Sequence, residues 1–256
     1  MKQENLVCDV DPEIVSAAVQ SVLDNGFYVV EKSLSLDQCA AASAVLDQLV
    51  LDGKGQEIGT FGYVLHPLCN LDAAMAPFYL DPLVKTILEA IFEDAPRLVH
   101  SGARLSDATH VPRLGWHTHR YSAAENAIPY GSTVRGERPE RLLCNWYLEG
   151  CTPESGPLVV LPRRYDDPLA PLGPNMDQPW PGEVHVSCPP GSCVIFSTDL
   201  WHAALAGESP ARRHLFGAHF QGRLNQRPHP EDQEHEGAHF EAAVARFPDF
   251  AGLVAE

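Results

Sequence analysis

Apolar residues along this chain change their period near Pro96. Before it they recur at helical spacing. Asp11 and Pro12 have the character of an N-cap and a first-turn residue ahead of Val15, Val19 and Val22, and Asn25-Gly26 ends the run, which predicts a helix over 11–25. Phe27 to Val30 is a short apolar burst that predicts a strand. Ser35 and Gln38 have the spacing of a capping box ahead of Cys39, Ala42, Leu46 and Leu49, the buried face of a second helix. Asp81-Pro82 opens a third helix, whose Val84, Ile87, Leu88 and Ile91 share one side, and Ala95-Pro96 closes it. Residues 1–95 therefore read as mostly helical.

Beyond Pro96 the pattern turns to short β-type runs: Leu98 to His100, Leu142 to Leu148, Leu158 to Leu161, Val184 to Cys188, Ser192 to Ser197 and His214 to Phe220. Gly and Pro clusters separate them, as in a mainly β barrel or sandwich. The stretches 122–141 and 165–180 are rich in Pro, Gly and charge and too long for tight turns, which predicts loops over a barrel mouth. The segment 226–241 carries His229, His235, His239 and many acids, and is expected to be solvated ahead of a short closing helix. The expected organisation is one domain: a helical part over 1–95, a β core over 96–223, and a tail over 224–256.

Composition narrows the function. With 256 residues, 45% of them hydrophobic, the chain is long enough to bury one substantial core. Its net charge of −16 repels phosphate backbones and anionic membrane surfaces, which argues against nucleic acid as a partner. No apolar run reaches the length of a membrane span, and the start, MKQENLVCDVD, lacks the order of a signal peptide, so a cytoplasmic location is expected. The seven cysteines never form Cys-x-x-Cys and suggest buried thiols rather than a zinc knuckle or a disulfide framework.

The chemistry concentrates in Gly115-Trp116-His117-Thr118-His119-Arg120. Two imidazoles two residues apart at a strand end point the same way and can grip one metal ion. A chance pair is plausible among twelve histidines. The pair gains meaning from a later segment, in which the turn and buried strand of Pro190 to Ser197 lead to Asp199-Leu200-Trp201-His202, and Arg213 follows eleven residues on. A third histidine from a later strand completes one face of a metal, and an arginine offers a fork for a carboxylate.

Together these parts resemble the phytanoyl-CoA dioxygenase family of Fe(II)- and 2-oxoglutarate-dependent oxygenases, from about Gly26 to Phe220. The resemblance is carried by Asn25 to Val30, Trp116-His117, the strand Asn145-Trp146-Tyr147-Leu148 leading to Glu154 through Pro162, and the segment Gly191 to Arg213. It implies a double-stranded β-helix, or cupin-like jelly roll, with helices packed on one side and iron in the barrel mouth. It also implies His117 and His202 as iron ligands, Arg213 as the clamp on the distal carboxylate of 2-oxoglutarate, Asn145 beside that cosubstrate, and O2 as the oxidant.

One position departs from the family. His119 stands where a hydroxylase of this kind carries a carboxylate, and three neutral imidazoles leave the metal its full double charge. Three readings follow. His119 replaces the carboxylate as a ligand and 2-oxoglutarate is still used, which Arg213 favours. Alternatively, the site is a cupin-like three-histidine dioxygenase independent of 2-oxoglutarate, for which Gly115, His117, His119, Glu125 and Gly131 approximate the first motif and Glu125 would be a fourth ligand. Or the fold binds a metal or small acid without turnover. Arg104 and Arg120 are expected to border the mouth and favour a small, carboxylate-bearing substrate, with Trp116 as a candidate pocket wall. No Ser-His-Asp set, Cys-His set or phosphate loop is evident.

Overall fold

A computed structural model describes residues 10–59, 62–106, 110, 113–119, 138–167, 175–205, 207–208, 213–225 and 227–255, with the side chain of Arg113 excepted. The helices are α1 (Pro12–Asn25), α2 (Leu36–Leu51), α3 (Leu68–Leu71), α4 (Pro82–Phe92), α5 (Ala238–Arg246) and α6 (Pro248–Val254), with a 3-10 segment over Ala73–Tyr79. The strands are β1 (Phe27–Val30), β2 (Gln56–Glu57), β3 (Tyr63–Leu65), β4 (Pro96–Ser106), β5 (Arg113–His117), β6 (Arg141–Tyr147), β7 (Leu158–Val160), β8 (Val184–Val186), β9 (Ser192–Ser197), β10 (His202–Leu205) and β11 (Arg213–Gly222).

The predicted helix starts rest on the expected caps. The Asp11 side chain accepts from the Glu13 amide and Asp81 from the Val84 amide, and Ser35 and Gln38 close a reciprocal capping box. Gly26 adopts a left-handed φ of 86° that ends α1 and turns the chain into β1.

Among the described residues all strand pairs are antiparallel and form two sheets, a seven-stranded one in the order β1-β9-β6-β11-β4-β3-β2 and a four-stranded one in the order β5-β10-β7-β8. This is the expected jelly roll with flanking helices. Three strands come from the first 95 residues, and they occupy both edges of the large sheet. Of these, β2 and β3 were not foreseen. They are too short to show a period and are held by backbone pairing.

Alternation along the central strands assigns each face of the large sheet. Leu142, Cys144 and Trp146 of β6 and Phe216, Ala218 and Phe220 of β11 join the core beneath the helices. There Trp146 stacks on Phe216 at 5.0 Å between ring centroids, and Tyr79 meets both rings edge-on. The opposite residues, Leu143, Asn145 and Tyr147 of β6, Leu215, Gly217 and His219 of β11, and His100, Gly102 and Arg104 of β4, line a cavity. Polar residues on that side explain why β4 was foreseen only at Leu98 to His100. A strand that lines a polar cavity does not announce itself by hydrophobicity. Among the described residues no helix is long and apolar enough to cross a membrane, and the six described cysteines are buried and free, with burial pushing the Cys69 thiol up to about 12.

The tail meets its expected exposure at most positions and departs from it around His229 to Gln233. His229 is buried, and Glu231, Asp232 and Gln233 bond to β4 and β6, whereas 227–228, 230, 234 and 236–239 are exposed. Asp232 pairs with the buried Arg141, the Gln233 amide donates to the Val99 carbonyl, and the Ser101 amide donates to the Gln233 side chain. The polarity of these residues matches a polar wall rather than solvent. Two short helices, α5 and α6, follow where one was expected.

His214 ties α2 to the large sheet, with Nδ1 2.7 Å from Glu149 Oε1 and Nε2 3.2 Å from Asp47 Oδ1. Burial alone would lower its pKa, but the two carboxylates outweigh burial and raise it. A raised histidine pKa stabilises the fold below the unfolded value of about 6.5, and the contribution is lost as pH rises through the folded value. Urea midpoints should show His214→Gln losing on the order of 1 kcal/mol at pH 6 and clearly less at pH 9, since both carboxylates are partly solvated. Equal losses at both pH values would assign His214 to packing alone.

Candidate metal centre

β5 ends on His117 and β10 begins on His202, and the two residues are direct cross-strand partners. Side chains paired this way project from the same face, and their ring centroids are 4.1 Å apart. His119 lies two residues past the end of β5, where its amide donates to the Thr198 carbonyl at 2.9 Å. Its ring centroid is 5.2 Å from each of the other two. One ligand atom from each of the three lies within 4.8 Å of the others.

Each ring has one nitrogen committed. Nδ1 of His117 donates to the Gly115 carbonyl at 2.8 Å, and Nδ1 of His202 donates to the Leu200 carbonyl at 2.9 Å. Nδ1 of His119 faces the Glu231 carboxylate, with oxygens at 3.2 and 3.3 Å. Acceptors on Nδ1 fix the tautomer and leave Nε2 with its lone pair, the arrangement that outer partners of metal-binding histidines impose. Burial, helped by the neighbouring His119, lowers His117 to about 4, and burial with the neighbouring imidazoles holds His202 well below the ordinary range. Both rings are therefore neutral at neutral pH, the form that binds a metal. Burial alone would raise the pKa of Glu231, but the His119 hydrogen bond and nearby histidines bring it to about 2.

The three histidines line a cavity of about 330 Å³ together with Arg104, Asn145, Tyr147 and Arg213. Register orders this wall: β4 and β11 pair His100 with His219 toward one end, and Arg104 with Leu215 and Ser106 with Arg213 toward the other. His219 packs 5.2 Å from the His119 ring, so the imidazoles gather at one end and the guanidiniums toward the other. Arg213 lies 5.3 Å over the Tyr147 ring, and its buried Nε has no hydrogen-bond partner among the described residues. Burial, with the Arg213 charge added, pushes Arg104 down to about 10. Two cations in one small cavity favour an anion between them. A Cβ on Gly217 would collide with the Asn145 carboxamide, so this glycine lets Asn145 lie across β11 in the wall.

These donors fit a divalent transition ion and a dicarboxylate. Three convergent imidazole nitrogens suit iron, and the Nε of Arg213, without a partner among the described residues, can meet an acceptor.

Not every expected site residue reaches the cavity. Trp116 is in the strand next to His117, and alternation turns it to the opposite face, where it stacks on Trp180 at 4.9 Å and donates to the Gln178 carbonyl. It belongs to the small cluster with Trp180 and Trp201, not to the pocket wall. Arg120 and Glu125 lie outside the described residues, as do most of the loop over 122–141 and part of that over 165–180. Glu231, Arg141 and His219 were not singled out from sequence. A signal for Arg141 existed: an arginine opening the apolar run Leu142 to Leu148 requires a buried partner.

The phytanoyl-CoA dioxygenase (PhyH) family model matches residues 22–215, more than half of the chain. This protein belongs to the phytanoyl-CoA dioxygenase family. Membership carries the class of chemistry with it, that of a non-heme iron, 2-oxoglutarate-dependent oxygenase. No curated protein matches the chain in sequence. Solved structures of similar fold include the epimerase SnoN in complex with Fe3+, alpha ketoglutarate and nogalamycin RO. It is 17% identical with a TM-score of 0.68, over 89% of this chain and 93% of SnoN. EctD from S. alaskensis, with 2-oxoglutarate and 5-hydroxyectoine, is 17% identical with a TM-score of 0.63 over 88% and 86% of the two chains. HygX from Streptomyces hygroscopicus, with nickel and 2-oxoglutarate, is 14% identical with a TM-score of 0.65 over 81% and 87%. This family member thus shares the fold of all three over most of its length.

Proposed function

We propose that this phytanoyl-CoA dioxygenase family member oxidises, by hydroxylation, a small carboxylate-bearing substrate at an iron held by His117, His119 and His202, with Arg213 gripping the distal carboxylate of 2-oxoglutarate. The observation that carries this reading is the presence of three convergent imidazoles and Arg213 in a single cavity. Bound Fe(II), with 2-oxoglutarate and O2, would supply the oxidative decarboxylation to succinate and CO2 that drives hydrogen removal from the substrate.

The residues of the chain have simpler work. Gly115 and Leu200 carbonyls and the Glu231 carboxylate aim the three rings. Arg213 offers a planar fork to a carboxylate, and Asn145 and Tyr147 wall the same space. Leu114, Leu143, Leu158, Ala203 and Leu215 add apolar surface to the cavity, against which the carbon skeleton of a substrate can pack. Arg104 is a second cation in the cavity and supports an anionic substrate, drawn inward against the net charge of −16. SnoN and EctD, both crystallised with small organic molecules, support a substrate of that size.

The three-histidine set also favours a second reading, a cupin-like dioxygenase that needs no 2-oxoglutarate. One assay separates them. With Fe(II), O2 and 2-oxoglutarate, succinate should form at a basal rate even without the prime substrate and should depend strictly on iron. Oxygen uptake that ignores 2-oxoglutarate would establish the cupin-like reading, and neither uptake nor succinate would leave a binding protein.

A further inference from the structure

The carboxylate missing from the ligand set has a counterpart in the wall behind it. Of the three rings, His117 and His202 lean on backbone carbonyls, whereas His119 leans on a carboxylate: both oxygens of Glu231 lie within 3.3 Å of its Nδ1. His119 is also the residue that stands at the family's carboxylate position. Glu231 comes from the tail, beyond the matched residues 22–215.

Its placement is firmly specified. The Glu231 amide donates to His229 Nδ1 at 3.0 Å, and its carbonyl accepts from His100 Nδ1 at 2.8 Å. Asp232, the next residue, pairs with Arg141, which also donates to His219 Nδ1 from Nε at 3.2 Å and from Nη2 at 3.1 Å. Gln233 then bonds to Val99 and Ser101 of β4. Arg141 is nearly fully buried and has Asp232 as its own carboxylate partner, which leaves the Glu231 charge directed at His119.

We propose that Glu231 is the displaced carboxylate of this centre. As a positioning residue, it supplies through the His119 ring the unit of negative charge that a ligand carboxylate supplies directly, and so keeps the net charge of the centre unchanged. This rests on the three-histidine reading. His119, His219 and Glu231 could in principle hold an ion of their own. That arrangement is opposed by Arg141, whose two N–H groups already occupy the His219 nitrogen facing Glu231 and place a cation where the ion would sit.

The test is an anaerobic Co(II) titration, followed by visible absorption and calorimetry, of the full chain and its variants. Glu231→Gln keeps the shape and an acceptor for His119 and removes only the charge. It should weaken Co(II) binding by on the order of 10–100-fold, with a melting curve of the metal-free protein confirming the fold. In a His119→Asp background, where the ligand itself carries the charge, the same Glu231→Gln change should cost less than about threefold. Glu231→Asp, with the charge kept but the reach shortened, should fall between the wild type and Glu231→Gln, and it provides the same comparison should the glutamine variant misfold. Wild-type affinity in Glu231→Gln, or an equal loss in both backgrounds, overturns the inference alone. A wild-type chain that binds no stoichiometric Co(II) overturns the three-histidine reading and the inference with it.

Discussion

Replacing Arg213 with methionine should raise the 2-oxoglutarate concentration needed for half-maximal succinate formation by on the order of 10²–10³-fold. Truncating one partner of a buried, hydrogen-bonded charge pair costs about 2–5 kcal/mol, and each 1.4 kcal/mol is about tenfold. Methionine has nearly the reach of arginine and fills the wall beside Tyr147, so the change removes the fork without opening a large void. Co(II) affinity in the absence of 2-oxoglutarate should stay within about threefold of the wild type, because Arg213 lies toward the opposite end of the wall from the imidazoles. Arg104→Met provides the contrast. If Arg104 meets the substrate rather than the cosubstrate, its loss leaves basal succinate formation nearly intact and weakens only substrate-stimulated turnover. An Arg213 variant with unchanged dependence on 2-oxoglutarate would move the clamp elsewhere and sink the assignment.

His202→Ala should abolish measurable succinate formation and weaken metal binding by more than the roughly 10–100-fold expected of outer-shell changes. His202 is buried beside Phe196 and the other two rings, so its loss removes a ligand from the interior of the site. His119→Asp is the informative partner to this variant. It restores the ligand type of the family, and 2-oxoglutarate turnover should persist or rise. If His119→Asp instead abolishes a native oxygen uptake that never required 2-oxoglutarate, the cupin-like reading replaces the one proposed. Both variants are read by the same oxygen-electrode and succinate measurements, with bound iron counted in each.

What the sequence disclosed divides by the range of the interactions. Helix starts were legible because their causes are local: Asp11, Ser35 and Asp81 each bond to amides two or three residues ahead. The histidine trio was legible because His117 and His119 are neighbours in the chain and His202 sits in a recognisable context. Trp116 was misplaced by treating an aromatic beside a ligand as a pocket residue, although strict alternation along β5 sends it the other way. The role of Glu231 could not be read, since its contact with His119 spans 112 positions and an acid in a polar tail looks like any other. Strand β4 was foreshortened for a related reason. Residues that face a functional cavity are chosen for the ligand rather than for burial, and the apolar signal fails where the function is.

The large sheet is joined by β11, the last of the described strands. β11 lies between β6 and β4, and without it the sheet falls into two pieces, β1-β9-β6 and β4-β3-β2, each with a bare hydrogen-bonding edge. Both halves find their missing partner in residues 213–222, so pairing of β11 is the step that joins the sheet into one.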